Sequence, residues 1–313
     1  MIGLGTAAIG RPQYINIRKK ENKSISIEDF REKGWQTLEY AYEQGVRYFD
    51  TAPGYGLAEE LLIDWIISKN DPTIEVATKW GYTYTANFDP KATMHEVKEH
   101  SVSKLNEQWQ KSQQLLPHLK IYQIHSATFE SGVLENEAVL HRLLELKQEH
   151  NIEIGITTSG DNQADVIKKA LEVEVNGNLL FDAFQVTYNI LDQSIADVTT
   201  ALKEQKKKII VKEALANGRL FPNEEYPQYK KLYTTLQRLA NQYQVGIDAI
   251  AMQFCLDSLQ PYKVLSGAAN RNHLSDNLKT ATFRFNSEEI EALYSLKSDP
   301  VHYWIERKKL SWN

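Results

Sequence analysis

Three observations predict an α/β protein with the architecture of a (β/α)8 TIM barrel. Short runs rich in Ile, Val and aromatic residues alternate eight times with longer amphipathic segments along the 313 residues. The short runs are continuously apolar, which is typical of parallel strands buried on both faces. Because each parallel connection needs a crossover helix, eight such units favour closure into a barrel. We therefore expect a single barrel domain over residues 1–313.

The eight predicted strands are bounded by Gly, Asn or charged residues. They are Ile2–Ala7, Tyr48–Thr51, Ile74–Thr78, Ile121–His125, Ile152–Thr157, Phe184–Tyr188, Ile209–Lys212 and Lys263–Gly267. The predicted helices between and after them are Ile27–Gln44 and residues 58–69, 93–115, 136–150, 162–174, 192–206, 227–243 and 247–258. A loop at about 11–26 and a tail at about 298–313 stand outside this alternation. We expect both to lie over the barrel mouth.

Composition and charge narrow the class of protein. The chain is 42% hydrophobic, and its formal net charge of −5 lacks the basic footprint of a nucleic-acid-binding protein. Its single cysteine, Cys255, cannot form an intrachain disulfide. The first residues do not form a charged leader, and no run approaches the ~20 apolar residues of a membrane span. We expect a cytoplasmic monomer or small homo-oligomer that binds a small molecule, with neither nucleic-acid nor membrane partners.

Four chemically active side chains follow three consecutive predicted strands. Asp50 ends the second strand and Tyr55 follows it, whereas Lys79 ends the third strand and His125 the fourth. The carboxyl ends of all strands in a parallel barrel face one mouth. Taken singly, Asp50 also fits a helix cap and Tyr55 an aromatic residue at the rim of the barrel. Lys79 also fits a surface cation, and His125 a histidine in the core. Their joint placement favours a shared site.

The chemistry of the four groups is complementary. A phenol with a pKa near 10 is a poor acid at neutral pH, and a nearby ammonium lowers that pKa. Lys79 is the candidate for this tuning, and Asp50 is its expected ion-pair partner. His125 is expected to donate a hydrogen bond to a substrate oxygen or to relay a proton. A tuned acid beside a developing oxyanion suits carbonyl reduction, for which a cofactor supplies the hydride.

The residues that carry this pattern resemble those of the aldo-keto reductase family. The stretch Gly45–Gly56, followed by Glu59, is similar to the family's first signature. Thr78-Lys79 and Ile124-His125 are similar to the segments that complete its catalytic tetrad. The resemblance covers nearly the whole chain. It implies a TIM barrel that reduces an aldehyde or ketone with a nicotinamide cofactor.

Residue by residue, the resemblance assigns roles to the four groups. It implies that Tyr55 is the general acid, that Lys79 tunes the pKa of Tyr55, that Asp50 is the partner of Lys79, and that His125 orients the substrate.

The resemblance also implies cofactor contacts after the fifth, sixth and seventh strands. Thr157 and Gln185 match the polar groups that hold the nicotinamide carboxamide. Lys212 occupies a position where many relatives have an aromatic residue that stacks on the nicotinamide, so this sequence departs from the pattern there. Gly218 and Arg219 match the loop over the pyrophosphate.

The loop after the eighth strand bears on the choice of cofactor. Gly267 stands where several relatives have a cation, and Arg271 remains as a strong cation that either binds a phosphate or faces solvent. Asp276 and Asn277 match positions that bind adenine, and we expect them to open a helix, where Asp276 also suits a cap. The resemblance favours NADP(H), with NAD(H) as the alternative cofactor.

Two aromatic residues are candidates for the substrate pocket. Trp80 and Tyr82 follow Lys79 closely, and aromatic walls are usual around small ligands but also common in cores. Ser126 and Ala127 are small residues where some relatives have a Trp, which favours a roomier or more polar pocket. A sugar or another polyhydroxylated compound is therefore the preferred substrate class.

Two other classes of function compete with this hypothesis. The first is a catalytically weak, cofactor-binding regulatory or interaction subunit on the same barrel, and the altered cofactor loops leave it open. The second is a lyase or aldolase that uses Lys79 as a Schiff-base nucleophile, which leaves Asp50, Tyr55 and His125 without a role. A metal site is not expected, because the eight His residues show no paired ligand spacing.

Overall fold

The computed structural model describes residues 2–12, 15–17, 26–89 and 91–312. Eight parallel strands close a barrel in which each strand pairs with its neighbours in chain order. They are β1 Ile2–Gly5, β2 Tyr48–Asp50, β3 Glu75–Trp80, β4 Leu119–Ala127, β5 Glu153–Thr158, β6 Ala183–Thr187, β7 Lys208–Lys212 and β8 Lys263–Ser266. The barrel closes where β1 pairs with β8, with Ile2 opposite Val264. The predicted fold is confirmed.

Helices surround the barrel and follow the strands in the alternation that the sequence predicts. Those that follow β1–β7 are Ile27–Glu43, Ala58–Lys69, Val102–Ser112, Glu137–His150, Gln163–Leu171, Ala196–Glu204, Lys230–Tyr243 and Ile247–Leu259. A short helix, Ala7–Gly10, follows β1, and Arg271–Leu278, Ser287–Tyr294 and Pro300–Lys308 follow β8. Within the described ranges, none of the helices has both the length and the apolar character to cross a membrane.

The prediction of one helix over residues 93–115 is wrong. A strand, Glu96–Lys98, pairs antiparallel with Tyr82–Tyr84 to form an outer hairpin, and the helix begins only at Val102. The physical reason is the cap: the Ser101 hydroxyl accepts a hydrogen bond from the backbone N–H of Lys104 at 3.1 Å, which starts the helix there.

Side-chain alternation along the strands separates two apolar layers. One faces into the barrel and contains Tyr48, Ala77, Ile121, Ala183, Ile210 and Leu265. The other, much larger layer lies between the strands and the helices. Because successive strand residues point to opposite faces, neighbours in sequence belong to different layers. This alternation decides which polar residues reach the barrel mouth.

The last residues of the chain lie against loops at the carboxyl end of the barrel. Trp304 donates its indole N–H to the buried carboxylate of Asp192 at 3.1 Å. Trp312 pairs with Ile15 and stacks on His95 with 4.4 Å between ring centroids. Of the loop predicted at about 11–26, residues 13, 14 and 18–25 lie outside the described residues.

Candidate active site

The centre of the site is a buried ion pair between neighbouring strands. Asp50, the last residue of β2, accepts from the Lys79 ammonium on β3. Lys79 Nζ also donates to the carbonyl oxygen of Thr51 at 3.0 Å. The two side chains are 3% and 0% exposed, so the charges depend on each other rather than on water.

Two glutamine side chains complete the bonding of the same carboxylate. Gln185 Nε2 on β6 donates to Asp50 Oδ2 at 2.7 Å, and Gln123 Nε2 on β4 donates to it at 3.3 Å. The sequence reasoning did not identify Gln123. The available signal was strand alternation, because Gln123 stands two residues before His125 and therefore faces the same interior.

Tyr55 lies above this ion pair in a tight turn after β2. Its ring centroid is 4.9 Å from Lys79 Nζ and 5.5 Å from the His125 ring, which meets it edge-on at 87°. The turn requires glycine at Gly56, where φ is +65° and an added Cβ would lie 2.5 Å from the Gly10 carbonyl oxygen. The four predicted groups therefore meet at one end of the barrel.

The protonation states follow from burial. Burial, and after it the Asp50 carboxylate, raises the pKa of Tyr55 well above 10, so the phenol keeps its proton at neutral pH. That Lys79 tunes the pKa of Tyr55 stays a prediction. Burial, followed by Lys79 and Arg11, lowers the pKa of His125 well below 6.5. The imidazole is neutral, so it can donate or accept but carries no charge.

Residues from distant parts of the chain cover Tyr55 and His125. The Tyr82 ring lies 4.7 Å from the His125 ring. The Arg11 guanidinium lies 5.4 Å from the Tyr55 ring and 5.0 Å from the Trp312 ring. Arg11 and Trp312 were not predicted as site residues, since neither stands at the end of a strand.

The expectation that Trp80 lines a substrate pocket is wrong. Trp80 follows Lys79 directly and therefore points to the opposite face of β3. It is fully buried in the layer between strands and helices, with its ring 5.4 Å from the His100 ring.

Three predicted cofactor residues lie on β5–β7, on the other side of the mouth. Thr157 Oγ1 accepts from the backbone N–H of Ser126 at 2.7 Å, and Gln185 is bonded to Asp50. Lys212 Nζ donates to the hydroxyls of Thr187 at 2.7 Å and Ser159 at 3.1 Å.

The loop after β7 lies against the segment after β1. Asn217 Nδ2 donates to the Ile15 carbonyl oxygen at 3.1 Å, and the Ile17 N–H donates to the Asn217 carbonyl oxygen at 3.0 Å. Gly218 has a φ of +91°, and a Cβ there would lie 3.1 Å from Ile17. The loop can therefore approach this segment closely only with glycine.

Arg219 does not reach the mouth, in contrast to the expectation of a pyrophosphate contact. Its side chain is fully buried, lies 3.9 Å from the Tyr303 ring and donates to the Tyr303 carbonyl oxygen at 3.0 Å. A carboxylate oxygen of Glu306 lies 3.5 Å away. The guanidinium therefore anchors the helix Pro300–Lys308.

The loop after β8 is open at its first residue. An added Cβ at Gly267 would meet no atom within 4 Å, and Arg271 is exposed at the start of the helix Arg271–Leu278. The prediction that Asp276 and Asn277 open a helix is wrong, because they lie near its end and Asn270 is the cap. Asn277 is buried with its amide 2.7 Å from Ser266 Oγ, and adenine binding by Asp276 and Asn277 stays a prediction.

The fold and the site together define an oxidoreductase barrel, in which a protonated phenol, a neutral imidazole and a buried ion pair meet at the carboxyl ends of the strands. The chain belongs to the aldo/keto reductase family, whose sequence model matches residues 1–298.

Individual relatives are distant. The chain is 25% identical to the D-threo-aldose 1-dehydrogenase of a Pseudomonas species, over 80% of this chain and 83% of that protein. It is 23% identical to the pyridoxal 4-dehydrogenase of Microbacterium luteolum, over 88% of each. Among solved structures, the glycerol dehydrogenase of Gluconobacter oxydans superposes with a TM-score of 0.72 at 20% identity, covering 94% of this chain and 90% of that one. The holo form of an aldo-keto reductase from Bacillus halodurans superposes with a TM-score of 0.70 at 21% identity, covering 96% and 93%.

Proposed function

We propose that this protein is an NADP(H)-dependent oxidoreductase that interconverts an aldehyde or ketone with its alcohol, using Tyr55 as the general acid. The observation that carries the proposal is the position of the Tyr55 phenol, beside the Lys79 ammonium and edge-on to the His125 ring. These groups are the ones that a carbonyl oxygen needs as it gains negative charge.

Each residue has a distinct part in the proton transfer. Tyr55 donates its proton to the carbonyl oxygen, and the Lys79 ammonium then stabilises the phenolate that remains. Asp50, fixed by Gln123 and Gln185, holds Lys79 in place. Neutral His125 donates a hydrogen bond to the same oxygen. A bound nicotinamide cofactor supplies the hydride.

The β5–β8 side of the mouth fits such a cofactor. Thr157 and Gln185 offer polar groups near Asp50, at the end where the nicotinamide would bind. Gly267 leaves open space after β8, and the exposed Arg271 beyond it would hold the 2′-phosphate of NADP(H). Gly218 would lie along the connection between these two ends. NAD(H) is the alternative if Arg271 contributes nothing to binding.

The opposite side of the mouth fits a small polar substrate. Tyr82 provides an aromatic wall beside His125, whereas Ser126 is small and partly exposed. An aldose dehydrogenase and a pyridoxal dehydrogenase are among the distant relatives, and both names describe polar, hydroxylated substrates. This supports a sugar or another polyhydroxylated compound as the substrate class.

The test is a pair of titrations followed by a substrate panel. NADPH and NADH are titrated against the protein side by side, and aldoses and aromatic aldehydes are then assayed with the tighter cofactor. We expect tighter binding of NADPH, weakened selectively in Arg271→Ala, and turnover that falls by about a hundredfold or more in Tyr55→Phe. Binding of neither cofactor would refute the proposal. Tight binding without turnover of any substrate would favour a regulatory subunit.

A further inference from the structure

Lys212 is a buried cation whose bonding partners are neutral. It ends β7 and, two residues after Ile210, points into the barrel. Its ammonium donates to the hydroxyls of Thr187 and Ser159 at 2.7 and 3.1 Å. Across the part of the chain that the structure describes, no carboxylate oxygen lies within 4.0 Å of its Nζ. Two hydroxyl dipoles solvate this charge but do not neutralise it.

Three other charged side chains around the mouth have ion-pair partners, whereas the buried Asp192 carboxylate is held by neutral donors. Lys79 binds Asp50, and Arg11 contacts Glu96 at 2.8 Å. Glu213, which follows Lys212 directly, is bound by Arg307 on the last helix at 2.6 Å.

Lys212 therefore presents to the mouth a positive charge that none of its hydrogen-bond partners neutralises. Burial lowers the pKa of Lys212 to about 8, so most of the molecules carry that charge at pH 7.

The position of Lys212 puts this charge on the cofactor side of the proposed site. Arg11, Tyr82 and Trp312 cover the side of the mouth above β1–β4. On the side above β5–β8, Lys212 is surrounded by the hydroxyls of Thr187 and Ser159, and the loop after β8 has open space at Gly267. A hydride donor that reaches a carbonyl held at Tyr55 must enter from this second side, next to Lys212.

We propose that Lys212 discriminates between the redox states of the bound cofactor and favours the reduced form. This inference rests on the proposed function. The oxidised nicotinamide ring carries a positive charge and the reduced ring is neutral, so a nearby ammonium repels only the oxidised ring. At an effective dielectric constant of about 20, a ring within about 5–10 Å of the ammonium would be repelled enough to lower the affinity for the oxidised form by roughly tenfold to a few hundredfold.

The charge of Lys212 also affects the equilibrium between reactants and products while they are bound to the protein. When an alcohol is oxidised, its C–H hydride passes to the oxidised ring and its O–H proton passes to the Tyr55 phenolate. The ring loses its charge in that step, which relieves the repulsion from Lys212. The equilibrium between bound reactants and bound products is therefore shifted toward carbonyl and reduced cofactor. The equilibrium in free solution is unchanged.

The test compares dissociation constants for NADPH and NADP⁺ in the wild type, Lys212→Met and Lys212→Arg, measured by calorimetry at pH 7. The measured quantity is the dissociation constant for NADP⁺ divided by that for NADPH. We expect Lys212→Met to lower this ratio at least about tenfold, chiefly because NADP⁺ binds more tightly. Lys212→Arg keeps the charge and should keep the ratio. Equal ratios in the wild type and Lys212→Met would overturn the inference. So would a parallel loss of both affinities, which indicates a structural role.

A pH series on the same three proteins tests whether the charge of Lys212, rather than the shape of its side chain, sets the ratio of dissociation constants. Between pH 7 and 9.5 the wild-type ratio should fall as Lys212 loses its proton, whereas both variants should stay level. Of the groups that face Lys212, Glu213 remains anionic, because Arg307 and Lys212 outweigh burial and bring its pKa to about 2. Arg307 remains a cation, His125 is already neutral, and Lys79 and Asp192 are present in all three proteins.

The outcomes of the pH series are distinct. A wild-type ratio of dissociation constants that does not change with pH would overturn the inference. This outcome counts even if Lys212→Met does not fold, and a thermal unfolding curve shows whether that variant folds. If the wild type binds neither NADPH nor NADP⁺, the proposed function fails and this inference fails with it. If it binds both with a ratio that neither substitution nor pH changes, the inference alone fails.

Discussion

The two ends of the barrel use the same kinds of residue in different surroundings. At the amino end, Lys208 binds Glu153 at 2.8 Å, with side chains 32% and 36% exposed. Tyr262 Oη donates to Glu75 at 2.7 Å beside them. At the carboxyl end, the ion pair between Lys79 and Asp50 is almost completely buried.

The difference shows that burial, not residue type, decides how strongly a charged side chain depends on its partner. Water near Lys208 and Glu153 screens each charge, so either can lose its partner at little cost. Lys79 and Asp50 have no such alternative, so each depends on the other. The two ends also differ in a tyrosine, because Tyr48 at the amino end is buried, whereas Tyr55 at the mouth is partly exposed. The following substitutions compare the two ends directly.

Removing the phenolic oxygen should have its largest effect at the carboxyl end. We expect Tyr55→Phe to lower kcat/KM for carbonyl reduction by about 10²–10⁴-fold, because the general acid is lost. Tyr48→Phe is the matched control, since Tyr48 is a buried interior tyrosine whose hydroxyl has no hydrogen-bond partner within the described structure. Steady-state kinetics with NADPH would measure both. A loss below tenfold in Tyr55→Phe, or a similar loss in Tyr48→Phe, would contradict the assignment.

Removing a lysine should destabilise the two ends unequally. Lys79→Met leaves the Asp50 carboxylate buried with only Gln123 and Gln185 as side-chain donors. We expect this to lower the free energy of unfolding by about 3–5 kcal/mol. In Lys208→Met the loss should stay under about 1 kcal/mol, because Glu153 is open to solvent. Urea denaturation at pH 7 checks both values, and equal losses would remove the contrast between the ends.

A smaller change at the amino end should affect stability without affecting chemistry. Tyr262→Phe removes the hydrogen bond to Glu75 and keeps the ring, which lies 4.7 Å from Lys208 Nζ. We expect a loss of about 1 kcal/mol in unfolding free energy. The kcat/KM for carbonyl reduction should be unchanged. A marked fall in kcat would mean that the amino end is coupled to the reaction.

The smallest effect should be the response of the rate to mild acid. Burial, then Lys79 and Arg11, keep the pKa of His125 well below 6.5, so we expect no titration of the imidazole near pH 6.5 as the pH falls from 7.5 to 5.5. The kcat/KM for carbonyl reduction should change less than about twofold over that range. A titration with a midpoint near 6.5, absent from His125→Gln, would contradict this.

The same shift in His125 makes stability depend on pH. The unfolded chain binds a proton at this residue below about pH 6.5, whereas the folded protein does not. His125 therefore contributes a loss of stability as the pH falls below about 6.5, which urea denaturation at pH 5 and 7 would measure against His125→Gln.

The parts of the molecule that the sequence predicts well depend on local pattern. The eight strands follow from apolar runs, and the positions of Asp50, Lys79 and His125 follow from strand ends. Strand alternation also assigns Trp80 to the outer layer, which is where the structure places it. Its closeness to Lys79 in sequence does not put it on the same face of the strand.

The parts that the sequence does not predict depend on contacts between distant segments. Arg11 and Trp312 meet over Tyr55 although they are separated by almost the whole chain. Arg219 pairs with a helix that begins 81 residues later, so a loop pattern cannot show that it turns inward. Glu96–Lys98 is a strand because it pairs with Tyr82–Tyr84, whereas its own residues also suit a helix.

The cover over the mouth has a consequence for how such a protein diversifies. Its three pieces, the segment with Arg11, the outer hairpin with Tyr82 and the end of the chain with Trp312, lie outside the eight strands. Insertions or exchanges in these pieces can reshape the space above Tyr55 without moving Asp50 or Lys79. A lineage descended from this barrel can therefore acquire a new substrate through its loops while it inherits the buried ion pair, to which we assign a part in proton transfer, unchanged.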